Sequence, residues 1–300
     1  MRRLLLPALI VALALVAAAG CGGDDNGDAA APTTTAENAC ERDQLQLKEP
    51  DKLTIGTDNP AFPPWFEGGT PEGSQWEIND PSTGEGFESA VAYAVAEKLG
   101  FQEADVEWVV VPFNQSFRPG EKSFDFDINQ ISVTAERDRA VDFSDSYYDV
   151  NQSLVARKGT ELANATSIDE IKPHQLGAQV GTTSLAYIQD NIQPEREPRV
   201  YDTSNDVVSA FNAGRIDGIV VDLPTAFFLV GSGEVKNGEV VGQFASEQGG
   251  AQEHFGMLFE DGNPLRDCVN QALDELRDDG TLEQLQQEWL AEKTDAPVLE

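Results

Sequence analysis

Short apolar runs that read as strands alternate with stretches of helical periodicity along most of this chain, and that alternation leaves few folds open to it. Leu53–Thr57 and Val106–Val111 are strand-like, and between them Phe87, Ala90, Val91, Ala94, Val95 and Leu99 share one helical face that Gly100 ends. Phe126–Ile131 reads as a further short strand and Ser153–Ala156 as a strand leaving this first region. The pattern restarts near Thr166. It runs through a short helix at Ser167–Ile171, a strand at Leu176–Val180, a helix with Leu185 and Ile188, and a strand at Arg199–Tyr201. A helix capped by Ser204 and closed by Gly214 follows, then a strand at Ile219–Val221, a helix opened by Pro224 and a strand at Val240–Phe244. Strands separated by helices imply an α/β fold with mostly parallel sheets flanked by helices on both faces. Phe255–Phe259 then reads as a return strand. Leu265, Cys268, Val269, Ala272, Leu273 and Leu276 form an amphipathic helix, Thr281 and Gln284 a capping box for a last helix, and the tail from Lys293 is expected to fray.

The first residues are a separate piece. Two arginines precede an apolar run from Leu4 to Ala19, the pattern of a secretory signal peptide over residues 1–20. Pro7 interrupts the run, which is marginal beside the roughly 20 residues of a bilayer span. Ala18-Ala19-Gly20-Cys21 resembles a bacterial lipobox, with Ala18 where leucine is usual. The expectation is lipidation of Cys21 and attachment to the cell membrane; the alternative is a secreted or periplasmic chain with Cys21 free or disulfide-bonded. Gly, Asp, Ala, Thr and Pro dominate the residues that follow, with little to bury, so 21–44 is expected to be a flexible linker.

Of the three cysteines, lipidation would leave Cys40 and Cys268 as a pair in an oxidising compartment, and a disulfide between them is expected. Two free thiols are the alternative. A bond closing so long a loop would contribute roughly 3–5 kcal/mol. The net charge of -33 argues against nucleic acid and against anionic membrane surfaces as partners. With His174 and His254 the only histidines, no metal cluster is expected, and no motif for a cofactor is present. After the linker roughly 260 residues remain, room for two domains of ordinary size.

Ser132-Val133-Thr134-Ala135-Glu136-Arg137, Val141-Asp142-Phe143-Ser144-Asp145 and Tyr147-Tyr148 resemble the bacterial extracellular solute-binding proteins, family 3, the polar amino acid binders of ABC transporters. The resemblance continues through Val180-Gly181-Thr182-Thr183, Ala213-Gly214-Arg215-Ile216-Asp217-Gly218 and Val221-Asp222-Leu223-Pro224, and reaches Asp279-Gly280-Thr281-Leu282 and Trp289-Leu290. It implies a two-lobed periplasmic-binding-protein fold joined by two hinge strands, with the first lobe at 45–154 and 252–300 and the second at 155–251. It also implies a monomer that closes on a small, polar amino acid and delivers it to an ABC transporter permease, without catalysis.

A free amino acid carries a carboxylate and an ammonium on one carbon, so burying both calls for a cation at one end and a carboxylate at the other. Arg137 suits the carboxylate through bidentate pairing, and the resemblance assigns it that role. A surface arginine paired with Glu136 or Asp138 is the alternative. The turn at Thr182 and Thr183 would hold the same carboxylate from the opposite lobe, or merely cap a helix. By the resemblance Asp222 would take the ammonium; capping the helix that follows is the alternative, and one residue could do both. Ser132 and the backbone carbonyl of Gln130 or Asn129 would complete that end, and the resemblance makes Phe62 and Trp65 aromatic walls, with packing on the lobe surface as the alternative for Phe62.

The side-chain end departs from the family. Basic amino acid binders carry an aspartate where Gly86-Phe87-Glu88-Ser89-Ala90 places Ala90, while Asp58 remains for a polar or cationic group. The Glu67–Glu85 loop is longer than usual, with Trp76 and Glu77 in reach of the pocket. Two rival readings use the same scaffold. One is a dehydratase acting on prephenate-like acids, which needs a cleft carboxylic acid for proton transfer; the other is a ligand-sensing module.

Overall fold

The computed structural model describes residues 39–245, 252–290 and 296–299. The expected leader, Cys21 and the linker up to residue 38 lie outside them. Residues 39–44, drawn into the linker from composition, are part of the fold. Cys40 is disulfide-bonded to Cys268, and the Arg42 guanidinium binds the Asp105 carboxylate at 2.8 Å and lies over the Phe101 ring.

The first lobe is built on β1 (Leu53–Thr57), buried at every position. After a long loop come α1 (Phe87–Lys98), β2 (Val106–Val110), α2 (Phe113–Ser116), β3 (Phe126–Asp127), β4 (Asp142–Phe143) and β5 (Tyr148–Asp149). The loop closes against α1 at Gly86, whose φ is 95° and where a Cβ would stand 2.6 Å from the Trp65 carbonyl; only glycine fits. The second lobe runs through β6 (Gln152–Arg157), α3 (Ile168–Ile171), β7 (Leu176–Gln179), α4 (Thr183–Tyr187), β8 (Arg199–Tyr201), α5 (Ser204–Asn212), β9 (Gly218–Asp222), α6 (Leu223–Gly231) and β10 (Gly238–Phe244). The chain then returns through β11 (His254–Phe255) and β12 (Leu258–Phe259) to α7 (Leu265–Asp278) and α8 (Thr281–Leu290), and ends in β13 (Val298–Leu299). Among the described residues no helix is long and apolar enough to cross a membrane.

The strand orders are β2-β1-β3-β12-β4 and β13-β10-β6-β9-β7-β8, with β5 and β11 paired between them. The α/β class holds, but the sheets are mixed rather than mostly parallel. β1, β2 and β3 are parallel, as are β7, β8 and β9, each joined through helices. β6 and β12 enter their sheets straight from the hinge, without a helix to reverse the chain, and so run antiparallel to their neighbours.

Other local expectations shift. The return strand at 255–259 splits into β11 and β12, which pair in different sheets. The strand expected at 126–131 stops at Asp127, because Gln130 takes a left-handed conformation (φ 47°) that turns the chain. Thr203, not Ser204, caps α5, its side chain accepting from the Asp206 N–H. Asp279 accepts from the Thr281 N–H at 2.9 Å, so Thr281 is the first residue of α8 rather than its cap. The chain end, expected to fray within the first lobe, instead pairs β13 in parallel with β10 of the second sheet, and Leu299 is buried there.

One core holds α1, α7, α8 and the aromatics Trp65, Phe87, Tyr148 and Phe255; two further clusters lie on either side of the second sheet. The disulfide fixes α7 to the start of the described chain.

Candidate functional site

The carboxyl ends of parallel strands leave loops free to meet a ligand. Here four such ends converge. Asp58 follows β1, Gln130 and Ser132 follow β3, Thr182 and Thr183 follow β7, and Asp222 ends β9. With Phe62 and Trp65 they line a cavity of about 150 Å³. Eight of the nine expected cleft residues are thus brought together; Arg137 is not among the lining residues.

The lobes touch across this cleft. Trp65 Nε1 donates to Thr225 Oγ1 of α6 at 2.9 Å, Ser132 Oγ lies 3.2 Å from Thr183 Oγ1, and the Arg137 guanidinium spans both sides. One Arg137 N–H reaches the Ser132 carbonyl at 2.7 Å and another the Gly181 carbonyl at 2.8 Å. Phe113 and Phe117 flank the guanidinium, with ring centroids 5.4 and 4.7 Å from Cζ. Burial lowers its pKa to about 10, against the pull of Glu253 and Asp222. Arg137 is a buried strut between the lobes, with neither Glu136 nor Asp138 as its partner.

Thr182 caps α4, accepting from the Leu185 N–H at 3.1 Å. Asp222 makes no side-chain cap on α6. Its carboxylate instead accepts from Gln152 Nε2 at 2.8 Å, and burial, reinforced by Glu253, pushes its pKa up to about 8. Glu253 also accepts from Ser132 Oγ at 2.7 Å and from Gln152 Nε2 at 3.1 Å, so one polar network runs from the hinge to both walls.

On the first lobe, Glu88 is consumed internally. It accepts from the Gln130 N–H at 2.6 Å, from the Gln130 side chain and from the Tyr147 hydroxyl, and burial pushes it up to about 7. This holds the left-handed Gln130 in place. Asp127 beside it is fully buried; burial, then Glu88 and Asp58, raise its pKa well above the usual carboxylate range. Asp58 sits at the cleft surface, accepts from the Asn59 N–H at 2.7 Å and is raised by burial. The second lobe also lines the cavity with apolar Val208, Phe228 and Leu229 and with polar Gln179 and Ser204.

The family model of bacterial extracellular solute-binding proteins, family 3, matches residues 53–292. The chain belongs to this family. Its members are extracellular or periplasmic proteins that bind amino acids and deliver them to ABC transporters. The arginine-binding extracellular protein ArtP of Bacillus subtilis (strain 168) is 27% identical over 207 residues, 68% of this chain and 77% of that protein. The L-cystine-binding protein TcyJ of Escherichia coli (strain K12) is 27% identical over 248 residues, 81% of this chain and 84% of that protein. The solved structure of an ancestral arginine-binding protein bound to arginine superposes with a TM-score of 0.65 at 27% identity, covering 80% of this chain and 98% of that one.

The Glu67–Glu85 loop supplies none of the residues that line the cavity. Trp76 is buried in the first-lobe core, and exposed Glu77 gives its backbone N–H to the Asn59 side chain at 3.0 Å. Three residues of the network escaped sequence reasoning. Gln152 opens an apolar strand, and that polar start was its only signal. Thr225 lies in the first turn of α6. Glu253 follows no motif, and only folding brings it to Ser132 and Gln152.

Proposed function

We propose that this chain is an extracytoplasmic receptor that captures a free amino acid by hinge closure and hands it to an ABC importer. The observation that carries the reading is Asp222. A buried carboxylate at the end of a strand, unused as a helix cap, lines one cleft with Ser132 and Thr183, where an α-ammonium would neutralise it. In this reading the α-carboxylate takes N–H groups of Arg137 left over from the Ser132 and Gly181 carbonyls, together with Thr183. Phe62 and Trp65 wall the ligand on the first lobe, and Asp58 meets its side chain. A ligand touching both walls stabilises the closed arrangement by its differential binding. The reading favours binding without turnover, since ArtP and TcyJ are binding proteins.

A thermal-shift screen of the twenty common L-amino acids and L-cystine, one at a time, tests this. A bound ligand at 100 times its dissociation constant should raise stability by about 2.7 kcal/mol. A screen in which none shifts the transition overturns the reading. The anchor belongs to the same proposal: Cys21 carries lipid, residues 22–38 act as tether, and the receptor works as a monomer. Labelling of the wild type but not of Cys21→Ser by an alkyne fatty acid supports the anchor, and size-exclusion chromatography of the mature chain tests the monomer.

A further inference from the structure

The polar network behind the cleft contains more negative charge than one ammonium site needs. Asp222 is one carboxylate; Glu253, just before β11 where the chain returns through the hinge, is a second. Between them lies the Gln152 side-chain amide, whose orientation is fixed because its oxygen accepts from Ser184 Oγ at 2.6 Å. The nitrogen therefore faces the acids, 2.8 Å from Asp222 Oδ1 and 3.1 Å from Glu253 Oε2. An amide nitrogen has two hydrogens, one for each carboxylate. The Ser132 hydroxyl has one, and it goes to Glu253 at 2.7 Å, so Thr183 Oγ1 donates to Ser132 across the cleft.

We propose that Glu253 is a positioning residue of the ammonium site, coupled to Asp222 through the shared Gln152 amide and to the cleft wall through Ser132, so that a second carboxylate behind the cleft tunes the Asp222 carboxylate that meets a cationic α-amino group. The proposal rests on the amino acid reading above and deepens it. The backbone holds the pairing at the hinge. Gln152 stands directly opposite Asp222 in the β6–β9 ladder, and the Val150 N–H binds the Glu253 carbonyl at 2.9 Å.

The charged and titratable groups around Asp222 are Glu253, Glu88 and Arg137, with Tyr147 and Tyr148 close enough to feel its charge. After burial, Glu253 contributes most to raising Asp222, and the Gln152 hydrogen bond opposes it. Arg137 lowers Asp222, but its guanidinium is held by two carbonyls. Removing the Glu253 charge should therefore lower the pH at which Asp222 loses its proton, and removing the Gln152 amide should raise it.

The test is a carboxyl-carbon NMR titration of ligand-free protein labelled with 13C-aspartate, the Asp222 signal assigned by its loss in Asp222→Asn. The Asp222 midpoint should fall by about one pH unit or more in Glu253→Gln, return in Glu253→Asp, and rise in Gln152→Met. A loss of structure alone does not move one midpoint in opposite directions in two variants. Midpoints unchanged in both Glu253→Gln and Gln152→Met overturn the proposal. In parallel, the twenty L-amino acids are titrated singly by calorimetry between pH 6 and 8. For those that bind, affinity in the wild type should rise with pH more steeply than in Glu253→Gln, and parallel profiles again count against the pairing. If none binds the wild type, the amino acid reading falls, while the NMR midpoints still decide whether Glu253 tunes Asp222.

Discussion

The two ends of the cleft are built in opposite ways. At the end assigned to the α-groups, Ser132, Gln152, Thr183, Asp222 and Glu253 hold one another at hydrogen-bond distance, and Arg137 ties the lobes just behind them. At the far end, Val208, Phe228 and Leu229 offer apolar surface with a polar rim and the single carboxylate of Asp58. Once the lobes meet, the first end is ordered by its own hydrogen bonds, and it suits a chemical group shared by all amino acids. The second sets no fixed hydrogen-bond pattern, and on the proposed reading it is where one amino acid would be told from another.

That contrast can be broken first at Asp222. Asp222→Asn leaves the ammonium buried without its charge partner, a cost of about 3–5 kcal/mol. Calorimetry should show every ligand losing at least about 100-fold in affinity, and unequal losses among ligands would blur the two ends. Trp65→Phe removes the hydrogen bond to Thr225 that crosses the cleft. Such a bond is worth about 1 kcal/mol, so affinity should fall about fivefold, again for all ligands alike. Val208→Ala acts at the far end. Its effect should stay within about tenfold but differ between long and short side chains, reordering the ligands in the thermal-shift screen.

The smallest effect is one of pH. Asp222, raised to about 8 between the closed lobes, holds a proton there that an exposed aspartate near 3.9 would have lost. Closure without ligand is thus favoured as pH falls and loses that contribution as pH rises through about 8. Glu88, raised to about 7, is enclosed within the first lobe by Gln130 and Tyr147 and does not change with closure. Small-angle scattering of ligand-free protein should give a slightly smaller radius of gyration at pH 6 than at pH 9.

The sequence made the α-group end partly legible. Ser132, Thr183 and Asp222 sit at strand ends in motifs readable from the chain, because backbone geometry alone places such residues at the cleft. Arg137 was read as facing the ligand, yet its guanidinium also answers two backbone carbonyls, a demand that arises only once the lobes meet. Glu253 left no trace, since its partners are 121 and 101 residues away along the chain. The strand–helix order was plain from periodicity. The reversed directions of β6 and β12 were not, because they follow from where the chain crosses the hinge and not from any local pattern.

The most direct test of the ammonium site compares, by calorimetry, the amino acid with the largest thermal shift against its N-acetyl derivative. The account predicts binding of the free amino acid and none measurable for the derivative, which keeps the carboxylate and side chain but brings no cation to Asp222. Equal affinity for the two would contradict it.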